Sequence, residues 1–169
     1  NFDRFRSAFR ERYPRTEVAY SMKANSTLAV VRALLLAGAK IDCSSEFEIE
    51  LARRAGASGG DIVVNGNGKS LSTLQACSSV GVYEVNVDSR AEVERLDAIA
   101  ADDGTVIDCA VRVQLGYERL LADDPSFEST LRVGEGKFGN NIAKGDAMRA
   151  VADVVGASNL RFVGLHHHV

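Results

Sequence analysis

The chain has 169 residues, 46% of them hydrophobic and 25% charged, with a formal net charge of −3. That is enough apolar content for one substantial core, and it advertises no strong field for nucleic acid or an anionic membrane. Its longest apolar run, Leu28–Ala39, is broken by Arg32 and is too short for a bilayer, and three dispersed cysteines (Cys43, Cys77 and Cys109) argue against a disulfide framework.

From the N-terminus, an amphipathic helix is expected over Phe2–Arg12, dense in charge and unlike a signal peptide. Glu17–Lys23 reads as the first strand. Ser26 is the expected cap of a helix running to Ala37, with Leu28, Val31, Leu34 and Leu35 on one face and Gly38 at its end. Ala39–Cys43 is a second strand, and Ser45 with Glu48 three residues on forms a capping box for a helix to Ala55. Asp61–Val64 is a third strand, followed by the loop Asn65–Lys69 and a helix capped by Ser70. Tyr83–Val87 is a fourth, after which Asp88 or Ser89 caps a helix to Ala101. Val106–Gln114 is a fifth; a long polar stretch, Gly116–Asn141, precedes a helix over Ala143–Val155 and a sixth strand at Leu160–His168.

Strands alternating with helices predict βα units and a parallel sheet. Lys23, Asp42, Asn65, Asn86 and Arg112 close successive strands at spacings of 19, 23, 21 and 26 residues, and His168 closes the next after 56. In parallel β/α architectures such ends share one rim, where active sites are built. Six units do not close an eight-stranded barrel, so the chain reads as an incomplete barrel, one domain over residues 1–169, or as an open doubly wound sheet. Both ends read as cut, and the three terminal histidines continue the last strand's pattern rather than resembling a tag.

Among the strand-end residues, Lys23 follows an apolar strand; an amine partly withdrawn from water is readily available to an aldehyde. The competing reading is a surface or salt-bridging lysine. Asp42, in an otherwise apolar strand, needs a partner, either a nearby backbone amide or hydroxyl, or a cofactor or lysine. Arg112, between Val111 and Val113, indicates an anion or hydrogen-bond partner. The loop Asn65-Gly66-Asn67-Gly68-Lys69-Ser70 could cradle a phosphate on its glycine-rich backbone before a helix, but it lacks phosphate-loop and dinucleotide spacing, and a plain turn with a helix cap is the better reading. By strand alternation His166 and His168 face one way and His167 the other. Two alternating histidines could ligate a metal, but no third ligand is placed with metal spacing, so no metal is expected, and an imidazole stacking on a flat cofactor ring fits at least as well. The cysteines read as structural, and a reducing, cytoplasmic setting is the default.

Tyr20-Ser21-Met22-Lys23-Ala24-Asn25, Ile41-Asp42-Cys43-Ser44-Ser45 with Glu48, Gly66-Asn67-Gly68-Lys69-Ser70 and Asn86-Val87-Asp88-Ser89 resemble, in order, the fold-type III pyridoxal-phosphate (PLP) dependent amino-acid decarboxylases. The likeness continues through Arg112-Val113, Gly136-Lys137-Phe138-Gly139 and Gly164-Leu165-His166-His167-His168-Val169, and the Lys69 loop favours the diaminopimelate branch over the ornithine branch. Val18, Met22 and Asn65 depart from the commonest forms. The resemblance implies a partial (β/α)8 barrel of the alanine racemase-like type, with about six βα units present. It implies that Lys23 holds PLP as an internal aldimine, that His168 packs on its ring, and that Asp42 and Arg112 line its pocket. It implies decarboxylation of a basic or diamino carboxylic acid, as in lysine biosynthesis, by a homodimer that binds neither nucleic acid nor membrane. A glycine-rich phosphate loop, an acidic partner for the pyridine nitrogen and a C-terminal β-domain with a catalytic cysteine are implied beyond Val169, so this stretch alone is expected to be inactive. An alanine-racemase-type racemase and a non-catalytic PLP-carrying barrel are the alternatives. A dinucleotide-binding domain is disfavoured because no Gly-x-Gly-x-x-Gly follows the first strand.

Overall fold

The computed structural model describes residues 1–115 and 138–168, and they divide into two compact units, Asn1–Val85 and Asn86–Val169. The sequence motif Gly136-Lys137 and the residue Val169 lie outside the described residues, as does most of the long polar stretch.

The first unit begins with α1 (Phe2–Arg10) and continues through β1 (Ala19–Ser21), α2 (Leu28–Leu36), β2 (Lys40–Cys43) and α3 (Glu46–Ala55). A 3-10 turn (Gly59–Asp61), β3 (Ile62–Val64), α4 (Leu71–Val80) and the start of β4 (Glu84–Val87) complete it. Strands β1 to β4 pair in sequence order and all in parallel, so every helix between them is a crossover. Alternation divides the strand residues between two faces: Ile41, Cys43, Ile62, Val64 and Val85 are buried, together with Val31 of α2, Ile49 of α3 and Leu74 of α4. Ser21, Asp42 and Val63 are register partners across three adjacent strands and so share the opposite face.

The helix entrances show how the sequence sets the geometry. Ser45 Oγ accepts the Glu48 N–H, and the Glu48 carboxylate in return accepts the N–H of Ser44 at 2.6 Å, one residue upstream of the capping-box position. The second unit repeats this arrangement: Ser89 Oγ accepts the Glu92 N–H and the Glu92 carboxylate accepts the Asp88 N–H at 2.9 Å. Ser70 caps α4 through the Thr73 N–H. The entrance of α2 departs from expectation. Thr27, not Ser26, is the N-cap residue and it makes no side-chain cap; Asn25 Oδ1 accepts the Thr27 N–H instead. An asparagine that bonds its own backbone two residues on sets the turn before any hydroxyl can cap it.

The second unit comprises the end of β4, α5 (Arg90–Asp102), β5 (Ile107–Gln114), β6 (Asn140–Asn141), α6 (Asp146–Gly156) and β7 (Leu160–His166). β5 is central to it, with β6 and β7 each pairing to it in parallel. Cys109 faces Phe162 but Ala110 faces Gly164, so Val163 is an extra, bulged residue that shifts the strand beyond it. Ile107, Cys109, Val111 and Val113 are buried with Leu96 and Val93 of α5 and Ala150 and Val154 of α6. The two-residue β6 is a strand that periodicity missed, since two polar asparagines carry no pattern to read.

Candidate functional site

The residues the sequence singles out lie at the C-terminal ends of the strands of each unit. In the first, β1 stops at Ser21 and the chain turns through Met22, Lys23 and Ala24. Met22 is buried, at 1% exposure, against Cys43 Sγ 3.7 Å away. Lys23 is exposed, not partly buried as the strand reading expected, because the strand ends two residues before it and the turn lifts its side chain clear. Among the described residues no hydrogen bond or ion pair engages its amine. Asp42 is half-buried on β2 beside Ser21. The Ser21 hydroxyl oxygen is buried with no hydrogen-bond partner among the described residues. A buried hydroxyl without a partner is costly unless something else completes it.

The loop after β3 is fastened to the end of β2. Asn65 donates its N–H to the Cys43 carbonyl at 2.8 Å, and Asn65 Oδ1 accepts the Gly66 N–H at 2.8 Å. Lys69 is 4% exposed, and its Nζ donates to the Gly66 carbonyl at 2.6 Å. The loop is therefore a turn with a helix cap, stiffened by the buried Lys69 side chain. Beside it, the Glu46 carboxylate accepts the Thr73 hydroxyl at 2.6 Å, the Ser72 hydroxyl at 2.9 Å and that of Ser70 at 3.3 Å. These bonds, the one from Thr73 foremost, hold its carboxyl below the usual glutamate range.

In the second unit, Arg112 on β5 and His166 on β7 are register partners and share a face. Arg112 Nε lies 3.8 Å from Asp88 Oδ1, with 12% and 13% of the two side chains exposed. Asp88 stood in the sequence as an alternative helix cap; because Ser89 takes that role, its carboxylate is directed to Arg112 instead. The Phe138 ring centroid lies 5.6 Å from Arg112 Cζ. His167 Nδ1 is 3.2 Å from the Val113 carbonyl oxygen. β7 ends at His166, so strand alternation no longer governs His168, which is exposed two residues beyond.

The cysteines are all buried free thiols, and burial pushes the Cys43 thiol pKa upward, which keeps it protonated and inert. Among the described residues no three His, Cys, Asp or Glu side chains are grouped to hold a metal ion, and no helix is long and apolar enough to cross a membrane. A cavity of about 280 Å³ in the first unit is lined by Arg32, Leu35, Leu36, Ala55, Gly56 and Asp61. Asp61 precedes β3, so this cavity lies at the opposite ends of the strands from Asp42.

A sequence model described as the pyridoxal-binding domain of pyridoxal-dependent decarboxylases matches residues 1–169. The chain belongs to this family. Over 171 aligned residues it is 39% identical to a diaminopimelate decarboxylase of Mycobacterium tuberculosis (strain ATCC 25618 / H37Rv), covering 99% of this chain and 37% of the relative. A diaminopimelate decarboxylase of Bacteroides thetaiotaomicron is 30% identical, with 94% and 39% covered. The structure of diaminopimelate decarboxylase from M. jannaschii in co-complex with L-lysine superimposes with a TM-score of 0.86 at 27% identity, over 99% of this chain and 39% of that one. The chain thus spans little more than a third of the length of the relatives it matches, 37% for the mycobacterial one. These likenesses bear out the α/β class, an incomplete β/α barrel of the alanine racemase-like type, and PLP as the family's cofactor. The residues present fit that cofactor in one testable respect: the unpartnered Ser21 hydroxyl shares a sheet face with Asp42, next to the turn that carries Lys23.

Proposed function

We propose that the whole protein is a PLP-dependent decarboxylase of a basic or diamino carboxylic acid, in which Lys23 is the amine that takes the cofactor's aldehyde. The observation that carries this reading is the Lys23 amine, unengaged among the described residues, on the turn directly beyond β1 in a chain that matches the pyridoxal-binding domain over its full length. Asp42 and Ser21 of the first unit, and Arg112 and His168 of the second, are the other residues assigned to the cofactor. Bound PLP supplies an electron sink for the pair released when the bond to the substrate's carboxylate breaks.

The chain's own residues contribute binding, orientation and proton control. Lys23 extends from a turn anchored by the buried Met22, which fixes the root of its side chain and leaves its amine exposed. Asp42 provides a carboxyl group on β2, and the Ser21 hydroxyl a donor beside it. The planar guanidinium of Arg112 suits an anionic partner. His168, exposed two residues beyond the end of β7, can pack its ring on a flat one. The diaminopimelate decarboxylase relatives favour a diamino acid as substrate, and a cytoplasmic homodimer belongs to the same reading.

The test is covalent trapping. The full-length protein is incubated with PLP, reduced with borohydride, digested and mapped by mass. The added mass is expected on Lys23 and lost in Lys23→Ala; label on another lysine, for instance the buried Lys69, overturns the assignment. Product analysis with diaminopimelate, ornithine, lysine and arginine then separates decarboxylation from racemisation and from idle cofactor carriage.

A further inference from the structure

Arg112 and Asp88 are held from a third place in the chain. Asn140 Nδ2 donates to the Arg112 carbonyl at 3.0 Å and lies 3.5 Å from the Asp88 carbonyl, groups 28 and 52 residues away in sequence. One side-chain amide thereby bridges the end of β5 and the turn that leads into α5. The backbone around it is docked just as closely: Asn140 pairs with Val113 in β6, and Ile142 donates its N–H to the Gln114 carbonyl at 3.2 Å. Phe138, two residues earlier, sets its ring against the Arg112 guanidinium. The short segment Phe138–Asn141 therefore touches the Arg112–Asp88 pair through amide and ring, while its backbone docks on the neighbouring Val113 and Gln114.

We propose that Asn140 is a positioning residue for Arg112, fixing the backbone of both members of the Arg112–Asp88 pair so that the guanidinium keeps the orientation in which it serves PLP. The inference rests on the assignment of Arg112 to the cofactor. The chemistry selects asparagine. An amide NH₂ carries two donors on a short arm, so it satisfies two carbonyls at once, whereas an isosteric carboxylate sets negative charge against both and a leucine satisfies neither. At 3.8 Å the Arg112–Asp88 contact is Coulombic and weakly directional, so backbone placement matters to where the charge points.

A double-mutant cycle tests this in the full-length protein. The equilibrium affinity of the apoprotein for PLP is measured by absorbance titration for wild type, Asn140→Asp, Arg112→Ala and the double variant. Asn140→Asp is expected to weaken binding roughly five- to tenfold, the effect of about one lost hydrogen bond. In the Arg112→Ala background the same change is expected to add nothing. If the two losses multiply, Asn140 acts on general structure and the inference falls; it falls equally if Asn140→Asp leaves affinity unchanged. Should Asn140→Asp fold poorly by circular dichroism, Asn140→Ser, which keeps one short donor, runs the same cycle with a smaller loss and the same criterion. Normal affinity in Arg112→Ala removes Arg112 from the cofactor and this inference with it, but leaves the trapping result at Lys23 to stand or fall separately.

Discussion

Replacing Gly139 by alanine isolates the contribution of the Phe138–Asn141 segment to the second unit. Gly139 has φ +87°, and a Cβ built there lies 3.1 Å from the Val113 carbonyl carbon, 3.2 Å from its oxygen and 3.3 Å from the Gln114 nitrogen. Left-handed backbone costs an L-residue about 1–2 kcal/mol, and crowding against the rigid backbone of a central strand adds about 1 kcal/mol, giving roughly 2–3 kcal/mol in all. Gly145 is the internal control: its φ is +77°, but the atom nearest a built Cβ is the tip of the Arg149 side chain at 3.5 Å, which moves aside easily. Gly145→Ala should therefore show the backbone cost alone. Urea midpoints and hydrogen exchange at the Ile142 amide, in the full-length protein, measure both. Gly139→Ala is expected to lose about 1 kcal/mol more than Gly145→Ala and to accelerate exchange at Ile142 selectively, since that amide bonds the Gln114 carbonyl. Equal losses, with Ile142 as protected as before, would refute the close docking of this segment on β5.

Ser45→Ala and Ser89→Ala each remove an oxygen that accepts an N–H at a helix entrance, and each is expected to cost about 1 kcal/mol in urea melts; Ser26→Ala, which caps nothing, should be near neutral. Glu46→Gln is expected to destabilise at neutral pH and to lose its effect in acid. The folded carboxyl titrates below the ordinary value of 4.5, so its stabilisation is complete above that pH and disappears as pH falls through the folded pKa; a pH-independent difference would contradict the hydroxyl cluster. Leu96→Ala, at a fully buried position of α5, should cost about 3 kcal/mol by the loss of transfer energy and the cavity it leaves; a loss under about 1 kcal/mol would contradict its burial.

Short-range chemistry made much of this protein readable from the sequence. The order and parallel sense of the strands follow from alternating apolar runs and helical periods, and Ser45, Ser70 and Ser89 could be read as caps because each bonds an amide only three residues away. The motif series from Tyr20 to His168 pointed to the family because it recurs in order. What the sequence left undecided depends on partners brought from far along the chain. Asp88 became an ion-pair partner of Arg112 only because Ser89 took the cap, and Asn140 gained its role through carbonyls 28 and 52 residues away. The bulge at Val163, the burial of Lys69 and the exposure of Lys23 were likewise set by register and by where a strand stops. Local patterns fix which element forms; only packing fixes which neighbours its polar ends meet.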